Sequence, residues 1–188
     1  MNIKDLKIIL ASGSPRRIQM LSDEGCNVQV VKPNCAEDLH AELEPHQAVM
    51  ALALRKALNV GRQEGLVIAA DTVVVHNGRI IGKPKDEEDA FNILSELNGQ
   101  RHQVVSGVCL LHNLTGFTLV FYDSTDVYFK EYSSEDIRSY IATGEPMDKA
   151  GAYAIQGLFA EYVDRIEGAY DNVVGLPLEK IKRVLADR

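Results

Sequence analysis

Nine polar side chains in this acidic chain of 188 residues are of the types that could do chemistry. They are Ser12, Arg16 and Arg17, then Lys56, Asp71 and Lys83, then Asp148, Lys149 and Gln156. Each falls at a loop or at the expected end of an element. Arg16, Arg17, Lys56 and Lys83, four cations from the first three elements, stand out against a formal net charge of −7. If these groups converge, the cleft they line suits a polyanion. Asp71, with Glu37 or Asp38, offers the oxygen donors that Mg²⁺ or Mn²⁺ takes while keeping several waters. Phosphoryl chemistry then needs the metal, positive groups on the nonbridging and leaving oxygens, and a base for water.

The first cations sit in IILASGSPRR, residues 8–17. Ile8, Ile9 and Leu10 read as a buried strand, Gly13 permits a tight turn, Ser14 is placed to cap a helix, and Pro15 suits the first helical position. A helix N-terminus flanked by Arg16 and Arg17 is an oxyanion site in this reading. The plainer alternative is a strand–helix junction with solvent-facing arginines. A second stretch, GLVIAADTVVVHNGRIIGKPKD, carries Asp71 at the C-terminal end of an apolar run, where open α/β sheets bind ligands. Val73, Val74 and Val75 extend that strand, Asn77-Gly78 signals a hairpin, and Ile80 and Ile81 return the chain so that Lys83 arrives between Gly82 and Pro84. Lys56, near the end of the preceding helix, is by itself read as a dipole complement or a solvated cation.

The elements that must hold these groups alternate between strand and helix. A strand is expected over 27–32, a polar acidic link to residue 44, and a well-buried helix from Pro45 to Gly61. Asp86 opens a helix whose inward stripe is Ala90, Phe91, Ile93, Leu94 and Leu97. Residues 103–111 and FTLVFYDSTDVYFK form an antiparallel pair, the second arm interrupted at Asp123 to Asp126. Ser133 and Asp136 begin another helix as a capping-box variant. GEPMDKAGAYAIQG reads as a loop or short helical turn, LFAEYVDRIEG as a strand, and Pro177 starts an amphipathic terminal helix.

Composition narrows the class. An apolar fraction of 46% without tryptophan suits one compact α/β domain, and the net negative charge argues against a nucleic-acid or anionic-membrane surface. The N-terminus has too short an apolar run for a signal peptide or a spanning helix, and Cys26, Cys35 and Cys109 suit a reducing compartment. A cytoplasmic protein is expected. There is no phosphate-binding GxxxxGK[ST] loop, no GxGxxG fingerprint, no GxSxG nucleophile elbow and no zinc-like grouping of the five histidines.

LASGSPRR, AADTVV, GKP, EPMDKAGAYAIQG and NVVGLPL, in this order over nearly the whole chain, together resemble the Maf family of nucleotide pyrophosphatases. The resemblance implies a single domain over residues 1–188. Its fold would be a mixed, elongated, twisted sheet flanked by helices, with two lobes around a central cleft, like the inosine triphosphate pyrophosphatases. It implies hydrolysis of a nucleoside triphosphate substrate to the monophosphate and pyrophosphate with a divalent cation, and a homodimer. Carried over by motif, Asp71 is the catalytic proton acceptor; Ser12, Arg16, Arg17, Lys56 and Lys83 line the triphosphate; Arg16, Thr72 and Gln156 belong to base selection; and Glu37 joins Asp71 at the metal. DKAGAYAIQG looks like the branch acting on dTTP and UTP. Gln156 both donates and accepts, which complements the O4 and N3–H edge of uracil or thymine. The alternatives are a pyrophosphatase for modified nucleotides such as 7-methyl-GTP, and a nucleotide-sensing regulator of septum formation.

Overall fold

A computed structural model describes residues 1–39 and 42–187. In chain order its elements are β1 (Lys7–Leu10), α1 (Pro15–Asp23), β2 (Asn27–Val30), α2 (Pro45–Asn59), β3 (Leu66–His76), β4 (Arg79–Ile81), α3 (Glu87–Leu97), β5 (Arg101–His112), β6 (Phe117–Phe129), α4 (Ser134–Ala142), β7 (Val163–Glu167), α5 (Tyr170–Val174) and α6 (Leu178–Ala186). Short 3₁₀ turns fill much of the interval between α4 and β7. The strands form one sheet in the order β2-β1-β3-β5-β6-β7, with β4 on β3. It is mixed: β1 runs parallel to β2 and β3, whereas β3–β4 and β6–β7 are antiparallel.

The chain divides into two compact units. The first comprises Met1–Thr72, Ser106–Asp123 and Gly175–Arg188, and the second Val73–Val105 and Ser124–Val174.

In the first unit the sheet is covered on both faces, which is why its strands read as continuous apolar runs. Alternation divides them cleanly. Ile8, Leu10, Leu66, Ile68, Ala70, Val108 and Leu110 pack with Leu21 of α1 and Leu178, Ile181 and Leu185 of α6. Ile9, Ala11, Val67, Ala69, Cys109 and Leu111 turn the other way, onto Ala53 and Ala57 of α2. Gly107 brings α2 unusually near: a Cβ there would lie 2.4 Å from the carbonyl of Val49. Helix α2 is fastened at its start by a reciprocal capping box between Glu44 and Gln47.

The second unit has a different core. Phe159 is fully buried, with the rings of Tyr162, Tyr140, Tyr132 and Phe129 centred 4.7, 4.7, 5.0 and 5.4 Å away. Its hairpin follows the Asn-Gly signal: His76 pairs with Arg79, and Asn77 and Gly78 both take positive φ, 49° and 75°. Asp86 accepts the Asp89 amide at the start of α3, and Ser133 with Asp136 completes the box that opens α4.

Several expectations change. Asp71 lies inside an unbroken eleven-residue strand and not at a strand end, because Val73–Val75 continue the ladder. Strand β6 passes through Asp123–Asp126 without interruption. Its polar side chains find partners where they stand: Asp123 meets Lys180, Asp126 takes two bonds from Arg101, and Thr125 binds both backbone groups of Ala169. The expected strand in LFAEYVDRIEG begins as a 3₁₀ turn, Leu158–Tyr162, that delivers Phe159 to the aromatic core. The second strand closes at Val30, although the Val31 amide still donates to Leu10. Among the described residues all three cysteines are free, and no helix is long and apolar enough to cross a membrane.

Candidate functional site

The loop after β1 is organised by Ser12. Its buried hydroxyl accepts the amide of Ser14 at 3.1 Å and the Nη1 of Arg17 at 3.3 Å. Ser14 occupies the cap position of α1 but makes no side-chain capping bond, which corrects the expected role of its hydroxyl. The turn is instead closed from Ser12. Gly13 leaves room for the stem of Lys32, which would come within 3.2 Å of an added Cβ.

The two adjacent arginines separate. Arg16 is half-buried and makes no hydrogen bond or ion pair among the described residues. Arg17 is buried, and three of its donors are spent on protein oxygens: Nε on the Gly175 carbonyl at 2.7 Å, Nη1 on Ser12, and Nη2 on Thr72 Oγ1 at 3.0 Å. Two of its five N–H groups remain. Burial draws this guanidinium below its ordinary value, while the negative charge of Asp71 works against that shift. For Arg17 the solvent-facing alternative is thereby removed.

Lys56 is also buried, with 5% of its surface exposed. Its Nζ lies 2.9 Å from Asp71 Oδ1 and 2.8 Å from Glu37 Oε1. This corrects the reading of Lys56 as a solvated cation or dipole complement. An ammonium is withdrawn from water here because two carboxylates, one from β3 and one from the acidic link, meet it. Glu37 stays 61% exposed, while the Asp71 side chain is largely covered. Asp38 turns elsewhere, to Arg55.

A divalent cation of the Mg²⁺ or Mn²⁺ kind fits this donor set. Such ions take one or two carboxylates plus substrate oxygens and water, and Asp71 and Glu37 already converge on one positive charge. No group of three or more His, Cys, Asp or Glu side chains that could hold a metal is assembled among the described residues.

Thr72, next to Asp71, has its Oγ1 2.8 Å from Ser106 Oγ and 3.3 Å from the Gly175 carbonyl. Ser106 escaped the reading of the sequence, and Gly175 entered it only within the motif NVVGLPL, with no role of its own. Ser106 is fully buried, and its only signal is a lone hydroxyl in the apolar run VVSGVCLL.

The remaining candidates belong to the second unit. Lys83 is exposed just after β4, and Gln156 is exposed in the turn before Gly157. The Gly151 amide donates to the Gly82 carbonyl at 3.1 Å, so the segment bearing Gln156 is tied beside Lys83. Glu145 clasps the same segment by accepting the Leu158 amide at 3.1 Å. A Cβ at Gly157 would fall 2.4 Å from Glu145 Oε1, so a larger residue there would displace this carboxylate. Asp148 and Lys149 pair with each other at 2.7 Å, and Lys149 also holds the Glu145 carbonyl, so both serve the turn.

The family described as Maf-like protein matches residues 7–188. A dTTP/UTP pyrophosphatase of Clostridium perfringens (strain SM101 / Type A) is 46% identical over 186 residues, spanning 96% of each chain. A dTTP/UTP pyrophosphatase of Geobacillus sp. (strain WCH70) is 49% identical over 179 residues, 94% of this chain and 95% of that protein. Among solved structures, the Staphylococcus aureus Ham1 protein is similar at 18% identity with a TM-score of 0.44, over 65% of this chain and 71% of that one. A match in one piece from Lys7 onward, joined to relatives nearly half identical along almost their full lengths, places this chain in the Maf family.

Proposed function

We propose that the protein is a nucleoside triphosphate pyrophosphatase acting on dTTP and UTP, yielding dTMP or UMP and pyrophosphate. The observation that carries the reading is the buried Lys56 ammonium held between Asp71 and Glu37, beside the buried fork of Arg17. Binding a triphosphate needs the cations alone; a carboxylate fixed among them serves catalysis.

Asp71 takes a proton from the attacking water. The oxygen bonds to the α-phosphorus, and the bond from that phosphorus to the bridging oxygen breaks as pyrophosphate leaves. Arg16, Arg17, Lys56 and Lys83, with Ser12, steady the phosphate oxygens as charge moves onto the leaving group. Asp71 and Glu37 would hold the divalent cation, which when bound draws charge from the phosphate oxygens. Gln156, with Arg16 and Thr72, selects the base, and one extra methyl on thymine changes such a pocket's preference only modestly. In this reading the two units are the lobes of one domain and contribute to one nucleotide cleft. The protein works in the cytoplasm as a homodimer.

Incubation with a panel of nucleoside triphosphates, with Mg²⁺, Mn²⁺ or a chelator, tests the proposal. Metal-dependent formation of UMP or dTMP with pyrophosphate is expected. Nucleoside diphosphate with phosphate would show the wrong bond cut, and preference for 7-methyl-GTP or tight binding without products would replace the reading.

A further inference from the structure

The proton of the Thr72 hydroxyl is held by the protein. A threonine oxygen has one proton and two lone pairs. Arg17 Nη2 donates into it at 3.0 Å, Ser106 Oγ lies 2.8 Å away, and the Gly175 carbonyl is 3.3 Å away. Whichever way the Thr72–Ser106 bond points, the single proton of Thr72 goes to a protein oxygen, either Ser106 Oγ or the Gly175 carbonyl. Donation to a base carbonyl would require one of these bonds to break, and an unmade bond in a covered site is costly.

Gly175 closes the circuit, because its carbonyl also receives Arg17 Nε at 2.7 Å. Three segments of the first unit meet the Arg17 guanidinium directly, through Ser12 after β1, Thr72 of β3 and Gly175 before α6, and Ser106 of β5 stands behind Thr72. A guanidinium held on three sides loses little freedom when its remaining N–H groups meet an anion, and this is how preorganisation raises affinity.

We infer that Ser106 is a positioning residue, which with Thr72 forms a hydroxyl brace that fixes the Arg17 fork for the triphosphate, so that Thr72 acts on the phosphate end through its hydroxyl. The inference rests on the proposed pyrophosphatase reading for its substrate, but its mechanics concern the grip on phosphate alone.

The test uses the full-length protein, with inorganic pyrophosphate as a probe that carries no base. Ser106→Ala raises KM for dTTP and UTP by the same factor, about fivefold, as expected for one lost hydrogen bond of ordinary strength. It weakens pyrophosphate binding, measured by calorimetry, by a similar factor. The dTTP-to-UTP ratio of kcat/KM holds, and the loss lies in KM. Thr72→Val shows the same phosphate defect, and Thr72→Ser, which restores a hydroxyl, binds pyrophosphate more tightly than Thr72→Val. Thermal melting of each variant separates these effects from loss of fold. The brace is overturned if wild type and Ser106→Ala bind pyrophosphate equally or neither binds it, or if Ser106→Ala alters the dTTP-to-UTP ratio at constant pyrophosphate affinity. Absence of dTTP and UTP turnover in the wild type sinks the enzymatic reading alone, since pyrophosphate binding still reports the brace.

Discussion

Each unit buries side-chain nitrogen, and the two surround it with different partners. In the first unit Arg17 and Lys56 each face oxygen: three protein acceptors for Arg17, two carboxylates for Lys56. In the second unit His102 is 1% exposed and meets the Tyr153 hydroxyl at 2.7 Å through Nε2, between the rings of Phe129 and Tyr153. Its Nδ1 has no hydrogen-bond partner among the described residues. Burial, helped by the charge of His76, holds its imidazole down at about 3, so it is neutral at physiological pH. Desolvation penalises every one of these groups; what differs is whether an anion or a set of aligned acceptors is there to answer it. The buried cations with acceptors belong to the proposed phosphate site, and the neutral histidine belongs to an aromatic core.

The most damaging way to break this contrast is to remove its central anion. Asp71→Asn is expected to lower kcat on dTTP by at least about a hundredfold, as for loss of a general base, while the variant still folds and unfolds cooperatively. Near-normal turnover in this variant would sink the assignment of Asp71. Lys56→Met attacks the same pair from the other side. It leaves Asp71 and Glu37 without the ammonium between them, and denaturant titration should show a loss of about 3 kcal/mol, the scale for breaking a largely buried ion pair. A loss below half a kcal/mol would mean that solvent already carries those charges.

For the second unit the prediction concerns pH. The folded His102 titrates at about 3 and an unfolded histidine near 6.5, so below 6.5 the unfolded chain binds the extra proton. Stability is therefore untouched above that value and falls as pH drops from 6.5 towards 3, by on the order of 4 kcal/mol over the whole window. His102→Gln, which cannot take up the proton, should flatten the dependence of melting temperature on pH between 6 and 4. Parallel curves for the two proteins would show that other groups set the acid response. The smallest effect sharpens the comparison at the exposed end of the second unit. Glu145→Ala removes the acceptor for the Leu158 amide and loosens the turn carrying Gln156. A decrease of about three- to tenfold in kcat/KM for dTTP, with little change in melting temperature, is expected from one such bond. An unchanged kcat/KM would mean that the clasp does not position Gln156.

Local patterns were legible where one short segment contains its own reason. Asn77-Gly78, Asp86 with Asp89, Ser133 with Asp136, and Pro15 at the start of α1 all take the conformations their residue types demand. The apolar runs around Ile8 and Leu66 announced a sheet covered on both faces. Ser14 and the Asp123–Asp126 stretch misled, since each looked like a cap or a break on local grounds alone. Ser12 took the amide work in the first case, and Lys180, Arg101 and Ala169 kept the strand whole in the second.

By itself the sequence determined the family, the mixed α/β class and the set of residues from which a phosphate site could be built, because motif order and residue type are properties of the chain. Tertiary structure alone decided how that set is used. It divided the adjacent arginines into a half-buried Arg16 and a buried Arg17, turned Lys56 from a surface cation into the bridge between Asp71 and Glu37, and joined Ser106 and Gly175 to Thr72 from segments far apart in sequence. The reason is physical. A side chain's charge, freedom and reach depend on which partners accompany it out of water, and those partners are chosen by packing.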